Sequence, residues 1–320
     1  MKSFFYRLLI VIVLSSLSFS REIIPAFILY SRGLVSDFVI DDAHLYVAND
    51  EGSVEIFDIV TQKKVNEIFI KPNRTLKKES VPAKILTVDR YKGKTLIVSA
   101  GENGYRNVWI HDGKVLKQII SIDKKISVKE ARFIDEENFV FATLGYDVIG
   151  YTLSDNYSIF REHIEESSFS DMVMSEDKQN FVTASESGQV MKIESKSGKV
   201  LNKFPILNLD NIYKLAYKNG TVLTAGQDRK VGVYSKYKEP YFIKSDFLVY
   251  AVGLSPSGKI GVYSSNEEGD FQVFDVKTGK KTDLLKGQKS IPSTIKFFNE
   301  DGFFSAGYGD KIYYWHLKEF

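Results

Sequence analysis

One outline recurs seven times along the chain: an apolar strand that ends in small residues, a polar turn, then a strand of alternating character. Leu45-Tyr-Val-Ala-Asn-Asp-Glu-Gly-Ser-Val-Glu-Ile-Phe-Asp58 and Val222-Leu-Thr-Ala-Gly-Gln-Asp-Arg-Lys-Val-Gly-Val-Tyr234 show it clearly. The first apolar residue after each turn marks the repeat: Val54, Val108, Val148, Val190, Val231, Phe271 and Ile312. The steps between them are 54, 40, 42, 41, 40 and 41 residues. A period near 40 with several short strands is what a four-stranded propeller blade requires. Helical repeats of similar length would space their apolar residues by three and four. Here Val54 and Ile56, or Val231 and Val233, alternate with polar or small partners, which is the period of a strand.

The remaining strands follow from this frame. Inner strands are expected at 35–40, 83–88, 131–134, 172–174, 212–217, 249–254 and 294–298, and outer strands at 65–70, 115–120, 158–161, 200–204, 241–243 and 282–285. The seventh repeat has no outer strand, because only eight residues follow Ile312. An apolar run at 23–30 is left over before the first inner strand. Pairing the two gives the expected fold: an all-β, seven-bladed propeller of four-stranded blades over residues 21–320, its last blade completed by the N-terminal strand. Pro25 is tolerable there because the outermost strand is an edge.

Residues 1–20 read as an address. Lys2 and Arg7 precede the run Leu8-Leu9-Ile10-Val11-Ile12-Val13-Leu14, and Ser18-Phe19-Ser20 closes it with small residues. This is the pattern of a secretory signal, and the run is too short for a spanning helix. Export to the periplasm by the general route is expected, with no membrane span after cleavage. Lys2 and Arg7 also account for the whole formal charge of +2, leaving a neutral mature chain. Neutrality argues against nucleic acid as a partner. Without cysteine, disulfides and Cys-ligated metal centres are excluded, so packing must hold the exported ring together.

The segments resemble WD40-type repeats over about residues 34–320. Asp228-Arg-Lys-Val-Gly-Val-Tyr-Ser235 and Glu51-Gly-Ser-Val-Glu-Ile-Phe-Asp58 fit the family's strand ending, and Trp315-His316 and Trp109-Ile-His-Asp112 are degenerate versions of its terminal dipeptide. No Gly-His pair opens any blade, so the family's His-Ser-Asp-Trp tetrad is not expected to assemble. In whole-chain character (signal, no cysteine, seven degenerate blades) the protein also looks like NapL-type periplasmic accessories of nitrate reductase systems. That resemblance implies a supporting role for a molybdenum enzyme, with no metal site of its own.

No catalytic set stands out. His44, His111, His163 and His316 fall in four different repeats, whereas metal ligation needs convergence. Acid pairs such as Asp41-Asp42 and Glu267-Glu268 sit at turns, where Asp is favoured for its bond to the backbone. There is no EF-hand ladder, nucleophile elbow, phosphate loop or dinucleotide fingerprint. No cofactor is expected.

The 54-residue step inserts about a dozen residues around 71–80, with Lys71, Arg74, Lys77 and Lys78 making the loop basic. The turns expected on the same ring face carry Arg106, Tyr146, Arg229, Lys230 and Tyr308, a mixture suited to a protein interface. These nine residues are the candidate partner-binding set. The expected function is an exported, non-catalytic scaffold that binds another periplasmic protein, a nitrate reductase component. The alternative is a propeller enzyme of quinoprotein or lactonase type with a site in the central channel.

Overall fold

Blade after blade, apolar residues at alternate positions of short strands must be covered on both faces of each sheet, and the chain covers them by closing into a ring. The computed structural model describes residues 22–74, 79–154 and 157–318; the proposed signal lies outside them. Six antiparallel sheets follow chain order from the centre outward. Their inner strands are Val35–Asp41, Ile85–Tyr91, Val128–Phe133, Phe169–Met174, Ile212–Lys218 and Val252–Leu254. The seventh starts with Pro292–Asn299, continues through Gly302–Gly307 and Lys311–His316, and takes its outer strand, Phe27–Tyr30, from the N-terminal end of the described chain.

This is the expected closure, with one addition. Phe27 pairs with Tyr314 and Leu29 with Ile312 in antiparallel register. Ahead of that strand, Glu22–Ile23 runs parallel to the outer strand of blade 6, Lys281–Leu285, as a fifth strand. The run at 23–30 is therefore two strands on two blades. Pro25, which has no N–H to offer a ladder, lies in the step between them.

The core is divided in the same way. Seven apolar clusters form, one at each interface between neighbouring blades. The cluster between blades 7 and 1 contains Leu29, Val35, Phe38, Leu45, Phe304 and Ile312, so it is assembled from both ends of the chain. Phe27 stacks on Tyr314 at 4.8 Å between ring centroids.

The absent Gly-His pairs are replaced rather than simply lost. In blade 7, the buried Trp315 Nε1 donates to Ser305 Oγ at 2.7 Å, and that hydroxyl donates to Gln288 Oε1 at 2.5 Å. In blade 5, Thr224 Oγ1 donates to Asn208 Oδ1, and Asn208 Nδ2 donates to Asp228 Oδ1 at 2.8 Å. Gln288 and Asn208 hold the connection between blades against the sheet.

Candidate functional site

The inner strands bring charged side chains to the ring axis. Asp37 comes from blade 1, Asp89 from blade 2, Glu130 and Arg132 from blade 3, Asp171 from blade 4, Lys214 from blade 5 and Lys296 from blade 7. The four acids share a device: each accepts a backbone N–H from the next blade's inner strand. Val88 N–H donates to Asp37 Oδ2 at 3.2 Å, and Phe133 N–H to Asp89 Oδ2 at 2.8 Å. Met172 N–H donates to Glu130 Oε2 at 3.1 Å, and Leu215 N–H to Asp171 Oδ2 at 2.8 Å. Four consecutive blade interfaces are pinned this way.

The bases complete the network. Lys296 Nζ lies 3.0 Å from Asp37 Oδ1 and also donates to the Phe38 carbonyl, joining blade 7 to blade 1. Lys214 Nζ lies 2.9 Å from Asp171 Oδ1. Arg132 pairs with Glu130 and, at 3.5 Å, with Asp37. Burial opposes charge on Asp37, but Lys296, Arg132 and Lys214 outweigh it and hold that carboxyl below its ordinary value. Glu130 goes the other way: burial dominates, Arg132 offsets only part of it, and the carboxyl is pushed up to about 7. Burial also opposes the Lys214 ammonium, yet Asp171, Glu130 and Asp37 together raise it.

This ionic layer divides the axial channel. Above it, toward the face carrying the connections between blades, is a chamber of about 220 Å³ lined partly by Asp37, Thr87, Arg106, Glu130, Leu144 and Lys214. Below it lies one of about 270 Å³ with a more apolar wall including Met172, Met174, Leu254 and Phe297. Only a gap of about 50 Å³ remains at the level of the ions. Among the described residues, no three His, Asp or Glu side chains gather in a metal-holding group.

The candidate partner-binding residues do not form one site. Lys71 and Arg74 are exposed beside a short hairpin, Asn73–Arg74 with Ser80–Val81, on the connection from blade 1 to blade 2. Lys77 and Lys78 lie outside the described residues. Arg106 begins the third strand of blade 2 and lines the upper chamber. Arg229 is exposed at its turn, while Lys230 pairs with Asp228 at 3.0 Å and lies over the Phe242 ring. Tyr308 is 77% exposed.

Tyr146 must be withdrawn from the set. Its backbone is left-handed, with φ of 62°, and its ring turns into the interface between blades 3 and 4, fully buried. There its hydroxyl donates to Thr183 Oγ1 at 2.8 Å and the ring meets Phe169 edge-on. A turn tip in sequence is a core residue in space.

Other aromatics take its place near the channel mouth. Tyr213 and Tyr250 stack at 5.1 Å, Phe247 lies 6.2 Å from Tyr250, and Tyr213 donates to Gln227 Oε1. Burial raises the Tyr213 hydroxyl, with smaller contributions from Tyr250, Asp210 and Tyr308. Tyr308 lies on another blade, at the turn between Gly302–Gly307 and Lys311–His316. Tyr213, Phe247 and Tyr250 were not singled out from sequence because they lie in or just before inner strands, where aromatics read as packing.

No protein-family model matches the chain, and no curated protein matches it in sequence. Among solved structures, 1855 chains match, a breadth that leaves function open. The β-propeller domain of Cps50 (Swd1) from Myceliophteria thermophila is similar over 92% of this chain and 99% of that one. Its TM-score is 0.73 and its identity 12%. At that identity the likeness speaks for the fold alone. Seven radial sheets, six of four strands and one of five, and this likeness together make the chain, in fold, a seven-bladed β-propeller.

Proposed function

We propose that the protein is a non-catalytic docking scaffold, and that the face around the upper channel mouth receives another protein. The observation that carries this reading is Tyr308, a large aromatic 77% exposed at the turn between Gly302–Gly307 and Lys311–His316. Aromatic rings at an exposed rim are typical of protein interfaces, and the fold has no packing use for Tyr308 there. Lys71 and Arg74 on the blade 1–2 connection give the same face a basic flank that steers an acidic partner.

In its finer form the partner is an exported protein, and the first to test is a component of a periplasmic nitrate reductase system. Support for export comes from the charged start, short apolar run and small-residue exit of residues 1–20. Co-purification from a periplasmic extract under gentle conditions should yield a defined partner with the wild-type chain. Tyr308→Ala combined with Lys71→Glu and Arg74→Glu should lose it while melting at the same temperature. A clean monomer from both preparations refutes the proposal.

A further inference from the structure

The upper chamber has a cation that the ionic layer does not use. Its lining includes Arg106, Lys129, Arg132 and Lys214 against Asp37 and Glu130, an excess of positive charge. Arg132 is matched by Glu130 and Asp37, and Lys214 by Asp171. Arg106 has no carboxylate among the described residues. Its Nη1 donates to the carbonyls of Gly104 and Tyr105, which uses a small part of a five-donor fork. Burial depresses its pKa, and no acid offsets that effect. Thr87, on the same wall, has a buried hydroxyl without a hydrogen-bond partner among the described residues.

We propose that this chamber binds an organic carboxylate, either a free dicarboxylate or the carboxylate end of a partner's chain, with Arg106 as the group that receives it. A guanidinium fork matches a carboxylate with two parallel bonds. Leu86, Val128 and Leu144 offer an apolar wall for an aliphatic stem, which inorganic phosphate lacks. The volume, about 220 Å³, leaves room for a small dicarboxylate. Two bonds to the Gly104 and Tyr105 carbonyls restrain the guanidinium, which lowers the ordering cost of binding.

Calorimetric titration of the isolated chain tests this without any protein partner, so it stands or fails apart from the docking proposal. The probes are succinate, inorganic phosphate, and the tetrapeptide Ala-Ala-Ala-Leu with a free or an amidated C-terminus. Saturable binding of succinate assigns the chamber to a free dicarboxylate; binding of the free-acid peptide but not the amide assigns it to a chain end. In either case Arg106→Gln should weaken binding by about tenfold or more, and Arg106→Lys should restore only part of it. Among the described residues Arg106 bonds only backbone carbonyls at the rim, so both variants should melt as the wild type does. The proposal is overturned if neither carboxylate saturates by about 10 mM, if Arg106→Gln binds equally well, or if phosphate binds as tightly as the carboxylates.

Discussion

Asp171 faces two demands at once: its Oδ2 accepts Leu215 N–H of the next blade while its Oδ1 holds the Lys214 ammonium. Removing the carboxylate strands both. Asp171→Ala should therefore destabilise the ring by about 3 kcal/mol, the low end for a broken buried pair, because Lys214 keeps 38% of its side chain open to the chamber. Urea unfolding gives the number, and a loss no larger than a surface substitution's would show that the pair is not structural. Residues of this kind were hard to read in advance. The inner strands of blades 3 and 4 were expected to start at 131 and 172, leaving Glu130 and Asp171 just outside. Their actual starts, Val128 and Phe169, place both acids within the strand, after a register shift that apolar pattern alone does not reveal. Tyr146 failed for a related reason: the sign of φ decides which way a turn side chain points, and a non-glycine residue does not announce a left-handed backbone.

At the scale of elements, the period was legible because four strands per blade repeat the same alternation, and every inner and outer strand falls within a few residues of its expected place. The head-to-tail pairing was legible too, since an apolar run without a partner and a blade without an edge imply each other. Its division over two blades was not, because Ile23 to Tyr30 reads as one run and only the position of Pro25 hints at a break. Ile23 packs in the cluster between blades 6 and 7, and Leu29 in the one between blades 7 and 1. Deleting residues 22–30 should lower the melting temperature of the whole molecule, opening an apolar face worth about 25 cal/mol per Å². Leu29→Ala alone should cost about 2–4 kcal/mol. A truncated chain that melts with the full-length one would separate closure from stability.

For the molecule as a whole, the ionic layer makes stability depend on acidity. Glu130 keeps its proton to about 7 in the folded ring, against 4.5 ordinarily. Between those values the folded state binds more protons than the unfolded one, so this group's contribution falls as pH rises from about 4.5 to about 7. Asp37 works in the opposite sense: its contribution is present above 3.8 and is lost as pH falls through its lowered value. The urea midpoint of Glu130→Gln should therefore gain on the wild type across pH 4.5 to 7 and stay at a fixed offset above that. An offset independent of pH would mean that Glu130 ionises as an ordinary carboxyl. The same layer fixes what the ring's hub can be. Bolted across by paired charges and narrowed to about 50 Å³, it is closer to an axle than to a pipe, and a solute that fits either chamber meets a constriction there. The two ends thus present different doorways, a charged one above and a more apolar one below, with Arg132 common to both walls.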